Sequence, residues 1–116
     1  MEGVVRDSYV NGVRIINNSW NFEGTTYDEK CRQIDEYMLL WRGRVRSSYD
    51  NDDLVVVFSI GNAGESGYNT VPSPALAKNA IAVGATGVSG YNTVENEQYV
   101  PYYSSRGPSS LFSLFA

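Results

Sequence analysis

The stretch Leu54-Val55-Val56-Val57-Phe58-Ser59-Ile60-Gly61-Asn62-Ala63-Gly64 decides the fold class of this 116-residue chain. Residues 54–60 are rich in β-branched types and apolar on both alternating sides, the pattern of a strand buried within a parallel sheet. Residues 61–64 then set an amide side chain between glycines at the carboxyl end of that strand. In open α/β sheets, ligands bind beyond that end of the strands. Taken alone, the tetrapeptide is more often a turn than a site, so its meaning depends on what folds beside it.

Upstream, Thr26 followed by Glu29 forms a capping box, and Asp28 and Glu29 suit the positive end of a helix dipole. A helix is predicted to start there. Cys31, Ile34, Met38, Trp41 and Val45 recur at alternating threes and fours and so share one helix face. The helix is expected to fray over residues 43–49, before the acidic turn of residues 50–53. Residues 13–17 read as a short buried strand, preceded by a helix tail that Gly12 closes, since glycine reaches the left-handed conformation of a C-terminal cap. Strand, crossover helix and strand in that order make a βαβ unit, whose two strands run parallel. Residues 18–21 and 61–64 should therefore emerge at one edge of the sheet, with Ser19 and Asn62 on adjacent strands. Downstream, Ser73-Pro74 fits an N-cap with proline at the first helical position, opening a short turn through Lys78. Residues 80–84 read as a third strand and residues 98–104 as a fourth.

Composition removes several classes of function. Thirteen acidic against nine basic residues give a net charge of −4, with no basic stripe for a phosphate backbone, so nucleic acid is not an expected partner. The longest apolar run, residues 54–60, is far shorter than the roughly 20 residues of a membrane span. Met1 to Asp7 lacks the positive and apolar regions of a secretory signal. Cys31 is the single cysteine and reads as a core thiol; no Cys/His cluster exists to hold zinc, and neither metal nor cofactor is expected. There is no histidine, which removes the usual general base for activating a serine at neutral pH. Gly61, Gly64 and Gly67 do not make a phosphate loop: both glycine-rich nucleotide patterns are absent, and the glycines lead to Pro72 and Pro74 instead of a long helix.

Read together, four blocks resemble the subtilase family of serine peptidases. Residues 9–20, ending Asn17-Asn18-Ser19-Trp20, resemble a helix end and the strand that leads into the substrate-binding segment. Residues 55–64 resemble the central strand with its Gly-Asn-x-Gly turn. Ser73-Pro74-Ala75, Lys78-Asn79 and Ile81 to Ala85 resemble the block that ends in a Val-Gly-Ala strand. Tyr103-Ser104-Ser105-Arg106-Gly107-Pro108 is similar to the Phe-Ser-Ser-Arg-Gly-Pro segment before the nucleophile region. Tyr27-Asp28 and Ile34-Asp35-Glu36 add the start and middle of a long helix found in one branch of the family.

The resemblance implies an α/β, three-layer subtilisin-like fold with a parallel sheet, present here as an incomplete fragment. Residues 1–108 would be part of a catalytic domain and residues 109–116 a divergent tail. The activity implied is that of a serine endopeptidase acting on peptides or proteins through an acyl-enzyme. By position, Asn62 would donate to the oxyanion; Ser19, Trp20 and Asn21 would line one side of the cleft, and Ser59, Ile60 and Gly61 the facing wall. Asn21 stands where the family usually has glycine, and Ile60 where alanine is common. The family's aspartate, His-Gly-Thr and Gly-Thr-Ser motifs do not occur in the sequence, so the fragment alone is expected to be inert. Asp28, Asp35, Asp50, Asp52 and Asp53 read as caps or solvated charges. Asn17-Asn18-Ser19 is formally a glycosylation sequon, though a strand end feeding a cleft is a poor acceptor. The competing expectation is a pseudopeptidase that keeps the cleft and binds peptides without catalysis. A secreted parent is compatible with the resemblance, which fixes no compartment.

Overall fold

Branched apolar residues in the predicted central strand, and a three-four apolar rhythm ahead of it, produce a sheet backed by helices. A computed structural model describes residues 2–39, 54–87 and 99–109. In chain order the elements are helix α1 (Glu2–Val10), strand β1 (Ile15–Asn18), helix α2 (Glu29–Leu39), strand β2 (Val55–Ser59), a single 3-10 turn (Gly64–Ser66) and strand β3 (Ile81–Val83). The strands form one sheet in the order β1-β2-β3, parallel throughout. Ile15 pairs with Val55 and Asn18 with Phe58; Val57 pairs with Ile81 and Ser59 with Val83.

Alternation along β2 sorts its side chains by face. Val56 and Phe58 are buried in a core shared with Val5 and Tyr9 of α1 and with Cys31, Ile34 and Met38 of α2. The other alternation, Ile15, Asn17, Val55, Val57, Ser59, Ile81 and Val83, shares the opposite face, which no described helix covers. Ile15 there is 67% exposed and Ile81 53%. Chain reversal after α1 is as expected, with Gly12 at φ 90° and its N–H donating to the Tyr9 carbonyl at 2.9 Å.

The start of α2 differs from the capping box. Asp28, not Thr26, caps the helix: its Oδ1 accepts the backbone N–H groups of Lys30 and Cys31, both at 3.0 Å. The Ser73 hydroxyl, at 2.7 Å from the same oxygen, holds the carboxylate in place, whereas Thr26 is exposed. Glu29 does not reach back to the cap; it pairs with Arg32, which also pairs with Glu36. Asp35 is a second correction, for it is buried and not solvated. The Tyr27 hydroxyl donates to its Oδ2 at 2.7 Å, and the Asn79 backbone N–H donates to its Oδ1 at 2.7 Å. Burial, then this hydrogen bond, push the Tyr27 phenol up to about 12.

Ser73-Pro74 opens the expected turn, but Ser73 does not cap it: its hydroxyl is spent on Asp28 instead of on amides ahead of it. Cys31 is fully buried, its thiol 3.5 Å from the Ser73 hydroxyl, and burial pushes that thiol up, as suits a core residue. No strand forms over residues 99–104: Pro101 has no N–H to give a ladder, and its carbonyl instead closes a turn with the Ser104 N–H at 3.0 Å. Trp41, Val45, the fraying at 43–49, the acidic turn at 50–53 and residues 110–116 lie outside the described residues.

Burial alone would raise the Asp28 carboxyl, but hydrogen bonds from Ser73, Cys31 and Lys30 outweigh it and hold the group below the usual carboxylate range. The folded form therefore prefers the ionised carboxylate, so its stabilising effect is complete above the unfolded value near pH 4 and is lost as pH falls through the lower folded value. Asp28→Ala should lower the unfolding free energy by about 1 kcal/mol at pH 7. Urea unfolding should show this difference between wild type and variant shrinking on acidification to about pH 2.

Candidate active site

Because β1 and β2 run parallel in adjacent positions, the segments leaving their carboxyl ends face each other across a cleft of about 290 Å³. Ser19 and Asn17 line its β1 side; Val57, Ser59, Ile60, Gly61 and Asn62 line the β2 side; Val83, Gly84, Ala85 and Ser104 close it. Five of the seven residues expected at a site, Ser19, Ser59, Ile60, Gly61 and Asn62, are thus brought together. No lining residue is charged. The cleft offers hydrogen-bonding groups and apolar wall to an uncharged backbone, and its lining contains no group able to take a proton at neutral pH.

Trp20 and Asn21 lie elsewhere. Alternation that turns Ser19 toward the cleft turns Trp20 to the helix face, where its ring meets Phe22 at 5.3 Å and Phe58 at 5.5 Å, both edge-on. The ring helps line a separate apolar cavity of about 430 Å³, with Val4, Val5, Ile16, Ile34 and Val56. Asn21 is exposed and lines neither space. Just beyond it the Phe22 N–H donates to the Ser73 carbonyl at 2.8 Å, which draws the chain toward the 73–77 turn. Ile60 does double duty, lining the cleft while packing against the core.

The turn after β2 is built by close approach. The Ile60 N–H donates to the Val83 carbonyl at 3.0 Å, extending the ladder one residue past the strand. Gly61 then takes φ 81°, where a side chain would be strained, and a Cβ there would sit 3.1 Å from Pro72 and 3.2 Å from the Ser105 hydroxyl. The Gly64 N–H donates to the Tyr103 carbonyl at 2.9 Å. Asn62, between them, is exposed, and its amide makes no hydrogen bond to another described residue. It is a primary amide free to donate to a ligand oxygen at the mouth of the cleft.

Residue-by-residue reading did not single out Ser104 and Ser105 as parts of this turn. Both are buried; the Ser104 hydroxyl accepts the Ala85 N–H at 3.1 Å, and the Ser105 hydroxyl accepts the Ala63 N–H at 3.0 Å. The available signal was the Ser-Ser pair ahead of Arg-Gly-Pro, two small hydroxyls in a segment without charge until Arg106. Among the described residues no group of three His, Cys, Asp or Glu is placed to hold a metal ion, and no helix is long and apolar enough to cross a membrane.

Comparison with known families matches residues 2–114 to the model of the subtilase family. No curated protein matches the chain.

Two glycines separate crowding from backbone freedom. A Cβ on Gly64 would run into the carbonyl oxygens of Tyr102 and Ser104, both backbone atoms, whereas one on Gly3 of α1 would meet nothing within 4 Å. Gly64→Ala should cost roughly 1–3 kcal/mol by overpacking. Gly3→Ala should instead stabilise, by about 0.5–1 kcal/mol, through helix propensity. Urea midpoints of the two variants should move in opposite directions.

Proposed function

The chain belongs to the subtilase family of peptidases, and from that premise we propose that it supplies the oxyanion side and one substrate wall of a serine endopeptidase that works through an acyl-enzyme. In such a reaction a serine oxygen bonds to the scissile carbonyl carbon while a base takes the serine proton, and the carbonyl oxygen becomes an oxyanion. The Asn62 amide N–H donates to that oxygen. Ser19 on one side, and Ser59, Ile60 and Gly61 on the other, flank an extended peptide or protein substrate, held by main-chain hydrogen bonds. Residues 1–108 belong to the catalytic domain in this reading, residues 109–116 diverge from it, and the aspartate, histidine and serine of the triad are contributed from outside this sequence.

The observation that carries the proposal is the free, exposed amide of Asn62 at the mouth of an uncharged cleft shared with Ser19. An oxyanion donor has no task in a protein that only binds peptides. The second reading, a peptide-binding pseudopeptidase, draws on one fact: the chain contains no histidine. Triad motifs encoded in frame with this sequence decide for the enzyme, and substituted triad positions decide for the binder.

The oxyanion exists only along the reaction path, so a donor to it acts on turnover and leaves ground-state affinity nearly untouched. In the peptidase carrying a complete triad, Asn62→Ala should lower kcat on the order of 10²–10³ with KM nearly unchanged, a magnitude carried over from subtilisin and not obtained from this geometry. A loss wholly in KM would make Asn62 a ground-state binding residue and sink the assignment. The 116-residue chain by itself should neither cleave casein nor be labelled by a fluorophosphonate probe. Stoichiometric labelling would show a nucleophile within this sequence.

A further inference from the structure

We infer that Ser105 is a positioning residue for Asn62, aiming its amide through the backbone on both sides of it. The inference rests on the oxyanion role proposed for Asn62. A side chain leaves the main chain along its Cα–Cβ bond, and that direction is set once the two flanking peptide planes are set. Here one residue holds both planes. The Ser105 N–H donates to the Gly61 carbonyl at 3.2 Å, and that carbonyl belongs to the peptide entering Asn62. The Ser105 hydroxyl accepts the Ala63 N–H at 3.0 Å, and that N–H belongs to the peptide leaving Asn62. Both backbone dihedrals of Asn62 are thereby fixed from a single point.

That point is itself immobilised. Ser105 is 2% exposed. Its neighbour Arg106 is doubly tied to Thr70: the Arg106 N–H donates to Thr70 Oγ1 at 2.8 Å, and the Thr70 N–H donates to the Arg106 carbonyl at 2.9 Å. On the other side the Tyr103 carbonyl holds the Gly64 N–H. The fit requires the missing Cβ of Gly61, whose place would be 3.2 Å from the Ser105 hydroxyl. The Asn62 amide has no hydrogen bond of its own to another described residue, so what is held is the backbone beneath it, which sets the Cα–Cβ direction from which the amide extends. A donor directed at charge that develops only in the transition state is effective to the extent that it is preorganised.

The test is a double-mutant cycle between Ser105→Ala and Asn62→Ala in the peptidase carrying a complete triad, with rates expressed per active site titrated by a fluorophosphonate. That normalisation removes any misfolded fraction. Ser105→Ala alone should lower kcat by roughly tenfold to a hundredfold, the scale expected when a catalytic donor is misplaced by about 1 Å. KM should stay nearly unchanged. In the Asn62→Ala background, the same substitution should lower kcat less than about twofold, because the group it positions is gone. A merely structural serine would give the same loss in both backgrounds; that result, or an unchanged kcat in the single variant, overturns the inference. An Asn62→Ala enzyme with undiminished kcat overturns it at its premise, and identifies the oxyanion assignment as the part that failed.

Discussion

Parallel pairing of β1 with β2, in the register that sets Asn18 beside Phe58, is the constraint on which the remaining geometry depends. It brings two segments far apart in sequence to one sheet edge, and it makes both of them leave that edge in the same direction. The same register hands Val56 and Phe58 to the helices while leaving Val57 and Ser59 to the cleft. A slip of one residue in β2 would exchange these sets, burying Ser59 and exposing Phe58. The apolar core therefore enforces the polar site: burial of Phe58 contributes on the order of 2–3 kcal/mol to the register that presents Asn62.

Two carboxylates secure the segment that backs this arrangement. Asp28 caps α2 and takes the Ser73 hydroxyl; Asp35, about two helix turns further along, takes the Asn79 amide. Residues 73 and 79 bracket the turns leading into β3, so α2 and β3 are joined through hydrogen bonds and not through direct helix-on-strand packing. Such groups are costly to bury unpaired, and each has its partners. This is why a turn-rich stretch rich in Pro and Ala, with little apolar mass of its own, holds its place beside the core.

The legible parts of the sequence were those with a period. Residues 54–60 announced a strand through branching, and Cys31, Ile34 and Met38 a buried helix face through spacing; the helix face holds, while the strand is buried on the Val56 and Phe58 side alone, with Val55 on its other face exposed. Asn62 was legible as an amide at a strand end, and its meeting with Ser19 followed from the parallel βαβ argument. What escaped were partners without local pattern: Asp35, whose buried role depends on Tyr27 and Asn79; Ser73, which competes with its own turn for Asp28; and Ser105, which is 42 residues from the amide it accepts. The capping box missed by two residues because a carboxylate with a fixed tertiary partner outcompetes a threonine exposed to water. Trp20 shows a different limit. It was expected at the cleft as part of a run with Ser19, yet period-two alternation already assigns neighbouring residues to opposite faces, and its ring packs on Phe58.

The distance in sequence between Ala63 and Ser105 has a meaning for when, as well as how, the turn takes shape. Closing a loop of 42 residues carries an entropy cost of about 3 kcal/mol beyond the constant term, and nothing local offsets it early. The pairing of Ile15 with Val55 closes a loop of nearly the same length, so this contact belongs to the same long-range class as the sheet that carries it. On a chain made from its N-terminus, Asn62 exists well before the serine that restrains it. A chain still under synthesis therefore holds Asn62 on a turn that lacks this restraint, and the turn takes its folded geometry only once residue 105 has joined the domain.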